Sequence, residues 1–247
     1  MKTTGNTILV TGGGSGIGRA LAQRWHALGN RVIVAGRRRA ALEETIGARD
    51  NMAALELDMD DPAAIRAFAG RLLAEHPDLN VLVNNAGIMR DEDVTTARDL
   101  GDADATITTN LLGPIRLIDA LVDHLRGRPD AAIVNTTSGL AFVPLKRAPT
   151  YSATKAALHS YTVALRRQLA GQVEVIELVP PAVQTELTPG QSTREGYLPL
   201  EAFADEVIAL FGIVPTPPEI CVKAVQFLRA AEAEGRFDQA LAALDTL

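Results

Sequence analysis

A tyrosine and a lysine stand four residues apart in a segment that has helical periodicity. Tyr151 and Lys155 would therefore lie on one face of the same helix. An ammonium group beside a phenol favours the phenolate, so the spacing predicts a Tyr151 pKa below its ordinary value of about 10. Such a phenol can donate and accept a proton near neutral pH, which is general acid–base chemistry.

A serine precedes this pair and follows a predicted strand. Ser138 belongs to the run NTTSG, and ligands of open parallel sheets bind outside the carboxyl ends of the strands. Its hydroxyl could therefore orient a substrate oxygen. Each residue also has an ordinary explanation, with Ser138 as a turn former, Tyr151 as a half-buried helix residue and Lys155 on a solvated helix face.

A glycine-rich loop, TGGGSGIG, lies directly between an apolar strand and an amphipathic helix. Glycines permit a tight turn and the close approach of a pyrophosphate, and the first N–H groups of the helix attract that anion. The loop therefore predicts a dinucleotide site, although turn formation alone would also explain the glycines. The predicted contacts come from the whole loop: Gly12, Gly14, Ser15, Gly16, Ile17 and Gly18.

The end of the second predicted strand indicates which dinucleotide is preferred. Gly36 stands where a carboxylate would accept hydrogen bonds from the adenine ribose, and Arg37 and Arg38 follow it. A guanidinium without that carboxylate suits a 2′-phosphate, so NADP(H) is favoured over NAD(H). The alternative is that Arg37 and Arg38 cap a surface loop. Arg39, the next residue, is expected to begin the following helix.

Regularly alternating elements must position these groups. Six short segments rich in Val, Ile and Leu predict strands: Thr7–Val10, Arg31–Ala35, Ala53–Leu57, Val81–Val83, Ala131–Asn135 and Val173–Val179. Longer periodic segments predict helices: Ile17–Leu28, Arg39–Ile46, Pro62–Ala74, an interval inside Asp99–Leu125, and Tyr151–Leu169. Repeated β–α units of this kind predict an α/β fold with one open parallel sheet between two helical layers.

The C-terminal part has a different pattern. Residues 186–218 are rich in Pro and Gly around a helical segment at Leu200–Phe211, and predict a substrate loop or lid within a single domain of residues 1–247. Ile220–Leu228 and Phe237–Leu244 both have helical patterns, so a seventh strand is doubtful. A six-stranded sheet would then end at an edge covered by helix or by a partner subunit.

Composition excludes several classes of function. The net charge of −6 provides no broad basic surface for nucleic acid. The single cysteine, Cys221, permits no intramolecular disulfide, which favours a reducing compartment such as the cytoplasm. No apolar run approaches the roughly 20 residues of a membrane-spanning helix. No group of histidine, cysteine and carboxylate residues has ligand spacing, so no metal site is predicted.

Together, these motifs resemble the compact single-domain branch of the short-chain dehydrogenase/reductase family. The matching segments follow the order typical of the family: TGGGSGIG, Asp58, NNAG (Asn84–Gly87), Asn110, Ser138, YSATK (Tyr151–Lys155) and PPAVQT (Pro180–Thr185). The runs TSGLAF and YSATKAALHS further resemble a subgroup named after D-alanine esterification of teichoic acids, a label that implies no substrate. The resemblance implies a three-layer Rossmann fold with strand order 3-2-1-4-5-6.

The resemblance also implies roles for individual residues. Tyr151 would be the acid and base, and Lys155 would lower its pKa and bind the nicotinamide ribose. Ser138 would hold the carbonyl oxygen, and Asn110 would anchor a water relay to Lys155. Helix capping or a helix bend is the alternative explanation for Asn110.

Further cofactor contacts follow from the same resemblance. Asp58 would meet the adenine amine through its side chain and Met59 through its backbone, while Thr185 would contact the carboxamide. Helix capping is the alternative for Asp58, and turn formation is the alternative for Asn84. The remaining residues implied to line the cofactor cleft are Asn84, Ala86, Gly87, Pro180 and Val183.

The expected activity is hydride transfer between NADP(H) and a small carbonyl or alcohol substrate. The largely apolar segments Ser138–Val143 and Thr185–Phe211 favour a neutral or hydrophobic carbonyl, while Pro181, where the family often has glycine, could alter substrate access. Alternatives are a non-catalytic dinucleotide sensor, sugar epimerisation or dehydration, and reduction of an imine. The family also implies a homodimer or homotetramer that pairs through the helices in Asp99–Leu125 and Tyr151–Leu169.

Overall fold

A computed structural model describes residues 1–246 of the chain as alternating strands and helices. The strands are β1 (Thr7–Thr11), β2 (Arg31–Gly36), β3 (Met52–Glu56), β4 (Val81–Asn84), β5 (Ala132–Thr136), β6 (Glu174–Val179) and β7 (Glu219–Cys221). The helices are α1 (Gly16–Ala27), α2 (Arg39–Ile46), α3 (Pro62–Glu75), α4 (Gly101–Ile107), α5 (Gly113–Arg126), α6 (Pro149–Gln168), α7 (Leu200–Phe211), α8 (Gln226–Arg229) and α9 (Phe237–Leu244).

All seven strands form one parallel sheet in the order β3-β2-β1-β4-β5-β6-β7. Successive side chains of a strand point to opposite faces, so Ile8 and Val10 of β1 pack on one side and Leu9 on the other. On the first side Trp25 of α1 meets Phe211 of α7 edge to face at 5.7 Å. Helices α3, α5 and α6 cover the second side. The predicted three-layer Rossmann arrangement is therefore confirmed.

The expectation of only six strands is wrong. Glu219–Cys221 pairs in parallel with β6, with Ile220 opposite Leu178. The strand has only three residues and one fully buried side chain, so no period can be read from its sequence. Its hydrogen bonds to β6 define it as a strand, and the chain then turns through a 3₁₀ segment into α8.

A π-helical turn, Thr108–Leu112, joins α4 to α5. Pro114, at the start of α5, has no N–H to donate to the carbonyl of Asn110 four residues earlier, which is a local reason for the irregular winding. The turn buries the Asn110 side chain behind the strand ends. This irregular turn therefore positions a residue that the sequence motifs had singled out.

The segment 186–218 divides into two parts. The buried face of α7, formed by Phe203, Val207 and Phe211, belongs to the core on the α1 side of the sheet. Glu186, Leu187 and Gln191 precede this helix and border the cleft described below. The part of the segment that faces the cleft is therefore the stretch before α7.

Candidate active site

A cleft of about 510 Å³ opens at the carboxyl edge of the sheet. Its walls are the last residues of the strands and the loops that follow them, including the loops after β1, β2, β3, β4, β5 and β6. Parallel strands present their carboxyl ends at one edge, which brings loops that are distant in sequence together. The cleft therefore occupies the place in the fold where ligands of open α/β sheets bind.

The glycine loop forms one wall of the cleft. Gly12 and Gly16 have φ values of +66° and +50°, which glycine adopts without steric strain. A Cβ on Gly12 would lie 2.9 Å from the Cα of Ala86, and a Cβ on Gly18 would lie 2.4 Å from the Gly12 carbonyl oxygen. The loop therefore packs closely against the β4 loop, and the first turn of α1 borders the cleft at Gly16 and Ile17.

Two of the predicted loop residues serve packing and do not line the cleft. Gly14 lies against Ala41 of α2, where an added Cβ would be 3.2 Å from the Ala41 Cβ. Gly18 lies behind Gly12 at the start of α1. The structure places Gly12, Ser15, Gly16 and Ile17 in the cleft lining, so four of the six predicted loop residues face the cleft.

Arginine side chains border the far end of the cleft. The Arg37 guanidinium lies 3.7 Å from the Asp60 carboxylate, and Arg38 Nη2 lies 3.5 Å from Ser15 Oγ. Asp60 also accepts a hydrogen bond of 2.5 Å from Thr109 Oγ1. Asp60 was not predicted as a site residue. Its position two residues after Asp58, in the loop that follows β3, could have indicated it.

Asp58 and Met59 both line the cleft beyond β3. Asp58 Oδ1 accepts a 3.0 Å hydrogen bond from the Asp60 N–H, which rigidifies the loop. Capping of α3 belongs to Asp61, which accepts from the Ala63 N–H at 2.7 Å. The helix-capping alternative for Asp58 therefore does not describe its position.

Tyr151 and Lys155 meet Ser138 in the centre of the cleft. Both side chains are buried on the first turns of α6, and the Lys155 ammonium donates a 2.8 Å hydrogen bond to the Thr136 carbonyl. The same ammonium lies 5.6 Å from the centre of the Tyr151 ring. Ser138 hydrogen-bonds to Tyr151 and also accepts from the Leu140 N–H at 3.1 Å.

The electrostatics of this group differ from the sequence expectation. Burial raises the pKa of Tyr151 to about 12, and the hydrogen bond with Ser138 acts in the opposite direction. Burial also lowers the pKa of Lys155 to about 8. The prediction of a lowered Tyr151 pKa is therefore wrong for the protein chain by itself, because desolvation of the phenolate dominates.

Asn110 lies behind the cleft wall. Its Oδ1 accepts from the Ile88 N–H at 2.9 Å, and its Nδ2 donates to the Ile88 carbonyl at 2.8 Å. A Cβ on Gly87 would lie 3.2 Å from Asn110 Oδ1 and 3.8 Å from Lys155 Nζ. Asn110 therefore holds the β4 loop beside Lys155 and is separated from the cleft by Gly87.

The two asparagines of the NNAG segment point in different directions. Asn84 lies outside the cleft lining, and its Nδ2 donates to Asn135 Oδ1 at 2.9 Å within the sheet. Asn85, which was not predicted, lines the cleft together with Ala86 and Gly87. Adjacent residues of a strand end face opposite sides, so the doubled asparagine could not show which one faces the cleft.

Thr11 was also missed by the motif analysis. Its Oγ1 accepts from the backbone N–H groups of Asn85 and Ala86 at 3.0 and 3.1 Å, and donates to the Val83 carbonyl at 3.3 Å. Thr11 therefore joins the ends of β1 and β4. Its signal was its position between the apolar residues of β1 and the first loop glycine.

The loop after β6 closes the remaining wall, where Pro180, Pro181, Val183 and Thr185 line the cleft. Thr185 Oγ1 accepts a 3.1 Å hydrogen bond from Gln191 Nε2, which ties the loop to the following 3₁₀ segment. A Cβ on Gly16 would lie 3.3 Å from the Thr185 Cβ, so the PPAVQT segment approaches the glycine loop at this point.

An apolar side pocket of about 80 Å³ branches from the cleft at Ser138 and Tyr151. It shares the β6 loop with the cleft and extends toward the C-terminal helices. Its apolar lining comes from widely separated segments: Met89, Leu140, Leu145, Leu187, Leu228 and Leu244. The side pocket can therefore hold a small apolar group beside the buried hydroxyl groups.

Two further searches of residues 1–246 concern metal-binding groups and membrane-spanning helices. No group of three or more histidine, cysteine, aspartate or glutamate side chains is arranged there to hold a metal ion. No helix in the same range has both the length and the apolar character needed to cross a membrane.

A Rossmann sheet, a glycine loop after the first strand and a buried Ser–Tyr–Lys group define the class of Rossmann-fold oxidoreductases. The model of the family described as short chain dehydrogenase matches residues 6–196. A Bacillus subtilis (strain 168) protein named uncharacterized oxidoreductase DltE is 42% identical over 236 residues, which cover 94% of this chain and 93% of that protein. The chain therefore belongs to the short-chain dehydrogenase family, as its motifs indicated.

Solved structures of the family have the same architecture. A short chain dehydrogenase from Burkholderia cenocepacia J2315 in complex with NADP has a TM-score of 0.82 and 27% identity, with 98% of each chain covered. A 3-ketoacyl-(acyl-carrier-protein) reductase from Brucella melitensis complexed with NADH has a TM-score of 0.78 and 25% identity. That match covers 88% of this chain and 96% of the reductase.

Proposed function

We propose that the protein transfers hydride between NADP(H) and a small neutral carbonyl or alcohol substrate. One observation carries this proposal. The buried Ser138–Tyr151–Lys155 group lies where a dinucleotide-sized cleft meets an apolar side pocket. Acid–base groups at such a junction can act on the oxygen of a substrate whose apolar part occupies the side pocket.

The residues of the cleft fit a nicotinamide dinucleotide. Gly12 leaves a cradle that a Cβ would fill, and the first turn of α1 offers N–H groups to a pyrophosphate. Asp58 and Met59 would recognise the adenine, and Thr185 the carboxamide. The bound nicotinamide supplies the hydride acceptor or donor. The NADP and NADH bound in the two solved relatives support this class of cofactor.

Preference for NADP(H) is proposed from the arginines at the far end of the cleft. Arg37 and Arg38 both line it, and no carboxylate stands at Gly36 to meet a ribose hydroxyl. A guanidinium binds a phosphate through charge-assisted hydrogen bonds. Arg37 would exchange its 3.7 Å pairing with Asp60 for the 2′-phosphate.

We propose that Ser138 orients the substrate oxygen while Tyr151 donates a proton to it during reduction. Lys155 would stabilise the resulting phenolate, because its ammonium is held beside the Tyr151 ring by the Thr136 carbonyl. This electrostatic help is needed because burial raises the Tyr151 pKa to about 12. Asn110 would fix the β4 loop next to Lys155 through its two bonds to Ile88.

The side pocket supports a neutral, compact substrate. Among residues 1–246, Arg147 is the one charge-bearing residue that lines this pocket, and it pairs with Asp91 at 2.5 Å. A charged group in this pocket would lose hydration without gaining an unoccupied partner. Ketones and aldehydes with a small apolar substituent therefore suit the site better than carboxylate-bearing substrates.

A paired assay tests the proposal. NADPH and NADH consumption is measured over a panel of neutral ketones, aldehydes and imines, and alcohol oxidation is then measured for the substrate with the highest activity. Turnover of carbonyls with NADPH supports the proposal. Turnover of imines alone would contradict it and would identify the protein as an imine reductase. A dinucleotide sensor would bind NADPH with no turnover of any substrate.

Tyr151→Phe is the decisive variant in this assay. Removal of the phenol hydroxyl should lower kcat about 1000-fold, since general acid catalysis contributes that order of magnitude, while the Kd for NADPH stays unchanged. Both quantities are measured on the same preparation. Wild-type turnover by Tyr151→Phe would overturn the assignment of the proton donor.

We also propose a homodimer or homotetramer that pairs through α4, α5 and α6. Ile107, Leu112 and Val163 are large apolar residues that remain more than a third exposed near these helices. The proposed location is the cytoplasm, supported by one cysteine that forms no disulfide. Light scattering at micromolar concentration tests the assembly, and a monomer would contradict it.

A further inference from the structure

A row of buried polar side chains crosses the sheet directly beneath the candidate active site. Asn84, Asn135 and Glu177 are register partners on β4, β5 and β6, and all three are buried. Asn84 donates to Asn135 at 2.9 Å, and Asn135 donates to Thr162 Oγ1 of α6 at the same distance. The row therefore faces the helix that carries Tyr151 and Lys155.

Glu177 is the charged member of this row, and its side chain is fully buried. Its carboxylate accepts a 2.7 Å hydrogen bond from Thr137 Oγ1. Its two oxygens lie 2.8 and 3.0 Å from His159 Nδ1. A buried carboxylate is tolerated only when it is hydrogen-bonded, so Glu177 keeps both partners at fixed distances.

The two partners of Glu177 belong to the two elements that form the catalytic group. His159 lies on α6 four residues after Lys155, on the same face of the helix. Thr137 directly precedes Ser138 in the turn after β5. Glu177 therefore forms a buried polar bridge between the helix of Tyr151 and the turn of Ser138.

Backbone hydrogen bonds attach the turn around Ser138 to the end of β6 on both sides of the serine. The Thr137 N–H donates to the Leu178 carbonyl at 2.8 Å, and the Gly139 N–H donates to the Pro180 carbonyl at 2.9 Å. At the end of the turn, Phe142 packs edge to face against His159 at 4.8 Å. The hydrogen bond from Thr137 to Glu177, which also contacts His159, is therefore one of the polar links that tie this turn to α6 as well as to the sheet.

We propose that Glu177 is a positioning residue that sets the distance between Ser138 and Tyr151 through Thr137 and His159. This inference rests on the proposed function, since the distance matters only if both hydroxyl groups act on one substrate oxygen. A displacement of about 1 Å between reacting groups can lower a rate about 100-fold. Loss of the bridge therefore lowers kcat while the cofactor cleft keeps its walls.

Three variants separate positioning from stability. Glu177→Val removes both hydrogen bonds. Glu177→Gln keeps an oxygen that accepts from Thr137 and places an amide N–H beside His159 Nδ1, which can accept it in the Nε2-protonated form of the imidazole. Thr162→Val is the matched control, because Thr162 is a buried hydroxyl of the same row that contacts Asn135 and the Leu158 carbonyl but not the Ser138 turn. The kcat, the KM for NADPH and the thermal midpoint are measured for each variant.

We expect Glu177→Val to lower kcat about tenfold or more with the KM for NADPH unchanged. Glu177→Gln should retain most of the kcat, and Thr162→Val should lose thermal stability without loss of kcat. An equal loss of kcat in Glu177→Val and Thr162→Val would overturn the proposal. So would loss in Glu177→Gln equal to that in Glu177→Val, because charge and not bond geometry would then be responsible.

Hydrogen–deuterium exchange separates failure of this inference from failure of the proposed function. Backbone amides of residues 137–142 should exchange faster in Glu177→Val than in the wild type, Glu177→Gln or Thr162→Val. This measurement needs no substrate, so it tests the anchoring of the turn even if no carbonyl compound is reduced. Wild-type exchange in Glu177→Val would overturn the bridge, and faster exchange with unchanged kcat would overturn its catalytic consequence.

Discussion

The two ends of the cleft are built in different ways. The end formed by the loops after β1, β2 and β3 depends on short contiguous motifs, backbone N–H groups and exposed arginines. The end at Ser138 and the side pocket depends on side chains from the loops after β4, β5 and β6 and from α6, α8 and α9. A recurring ligand such as a dinucleotide can be recognised by local backbone geometry, whereas a particular substrate needs a surface assembled from distant segments.

Gly18→Ala should give the largest effect at the dinucleotide end. The new Cβ would lie 2.4 Å from the Gly12 carbonyl oxygen, so the first turn of α1 must move away from the loop. The displaced N–H groups of α1 would lose their charge-assisted hydrogen bonds to the pyrophosphate. A loss of about 3 kcal/mol would weaken NADPH binding about 100-fold. Isothermal titration calorimetry measures this affinity. Gly70→Ala on α3 is the control, because its added Cβ would face open space.

Arg37→Ala tests whether the same end discriminates between the two dinucleotides. Loss of a charge-assisted contact worth about 2 kcal/mol should weaken NADPH binding about 30-fold, with NADH binding almost unchanged. Arg39→Ala is the matched control, since Arg39 pairs with Glu43 on α2 and does not line the cleft. Equal losses for both dinucleotides would remove Arg37 from 2′-phosphate recognition.

The pH dependence of carbonyl reduction probes the substrate end. Tyr151, with a pKa of about 12, stays protonated through neutral pH, whereas Lys155 loses its proton as the pH rises through about 8. The kcat should therefore be constant below pH 8 and fall about tenfold per pH unit above it. Lys155→Arg keeps its charge in this range, so its profile should lack that decrease. A wild-type kcat that rises above pH 8 would contradict this assignment.

Leu244→Ala should give the smallest effect, a change in substrate size preference. Leu244 lies on α9 and lines the side pocket, so its truncation enlarges the space beside Ser138 and Tyr151. The ratio of kcat/KM for a bulkier ketone to that for a smaller one should rise about tenfold, as one or two methylene groups contribute that amount. Leu241→Ala is the control, because Leu241 packs on the same cluster without lining the pocket. An unchanged ratio would exclude α9 as a determinant of substrate size.

Much of the fold could be predicted because its signals are local. The five residues of β1, all buried, and the loop glycines at 12, 16 and 18 carry periodicity and turn chemistry within a few positions. The short strand β7 has no such signal, and only its pairing with β6 reveals it. The preference of a short segment for helix, strand or turn can be inferred from its sequence. The energy of pairing between strands that are distant in sequence cannot.

The candidate site likewise has features that the sequence predicts and features that only the folded structure shows. The spacing of Tyr151 and Lys155 placed them together on one helix, but the direction of the Tyr151 pKa shift depends on burial that no spacing encodes. Likewise, the NNAG motif indicated a cleft wall without showing that Asn85 faces the cleft and Asn84 faces the sheet. Orientation and solvation are properties of the packed molecule.

The sequence by itself determined the order of the elements, the glycine loop and the residues that can carry acid–base chemistry. Only the tertiary structure decided that Asp60 pairs with Arg37, that Leu244 reaches the side pocket and that Glu177 bridges Thr137 and His159. The physical reason is that the first set follows from backbone geometry over a few residues. The second set depends on contacts between segments that are remote in sequence. Burial removes water from these contacts, so a buried polar group is stable only with its hydrogen-bond partner in place.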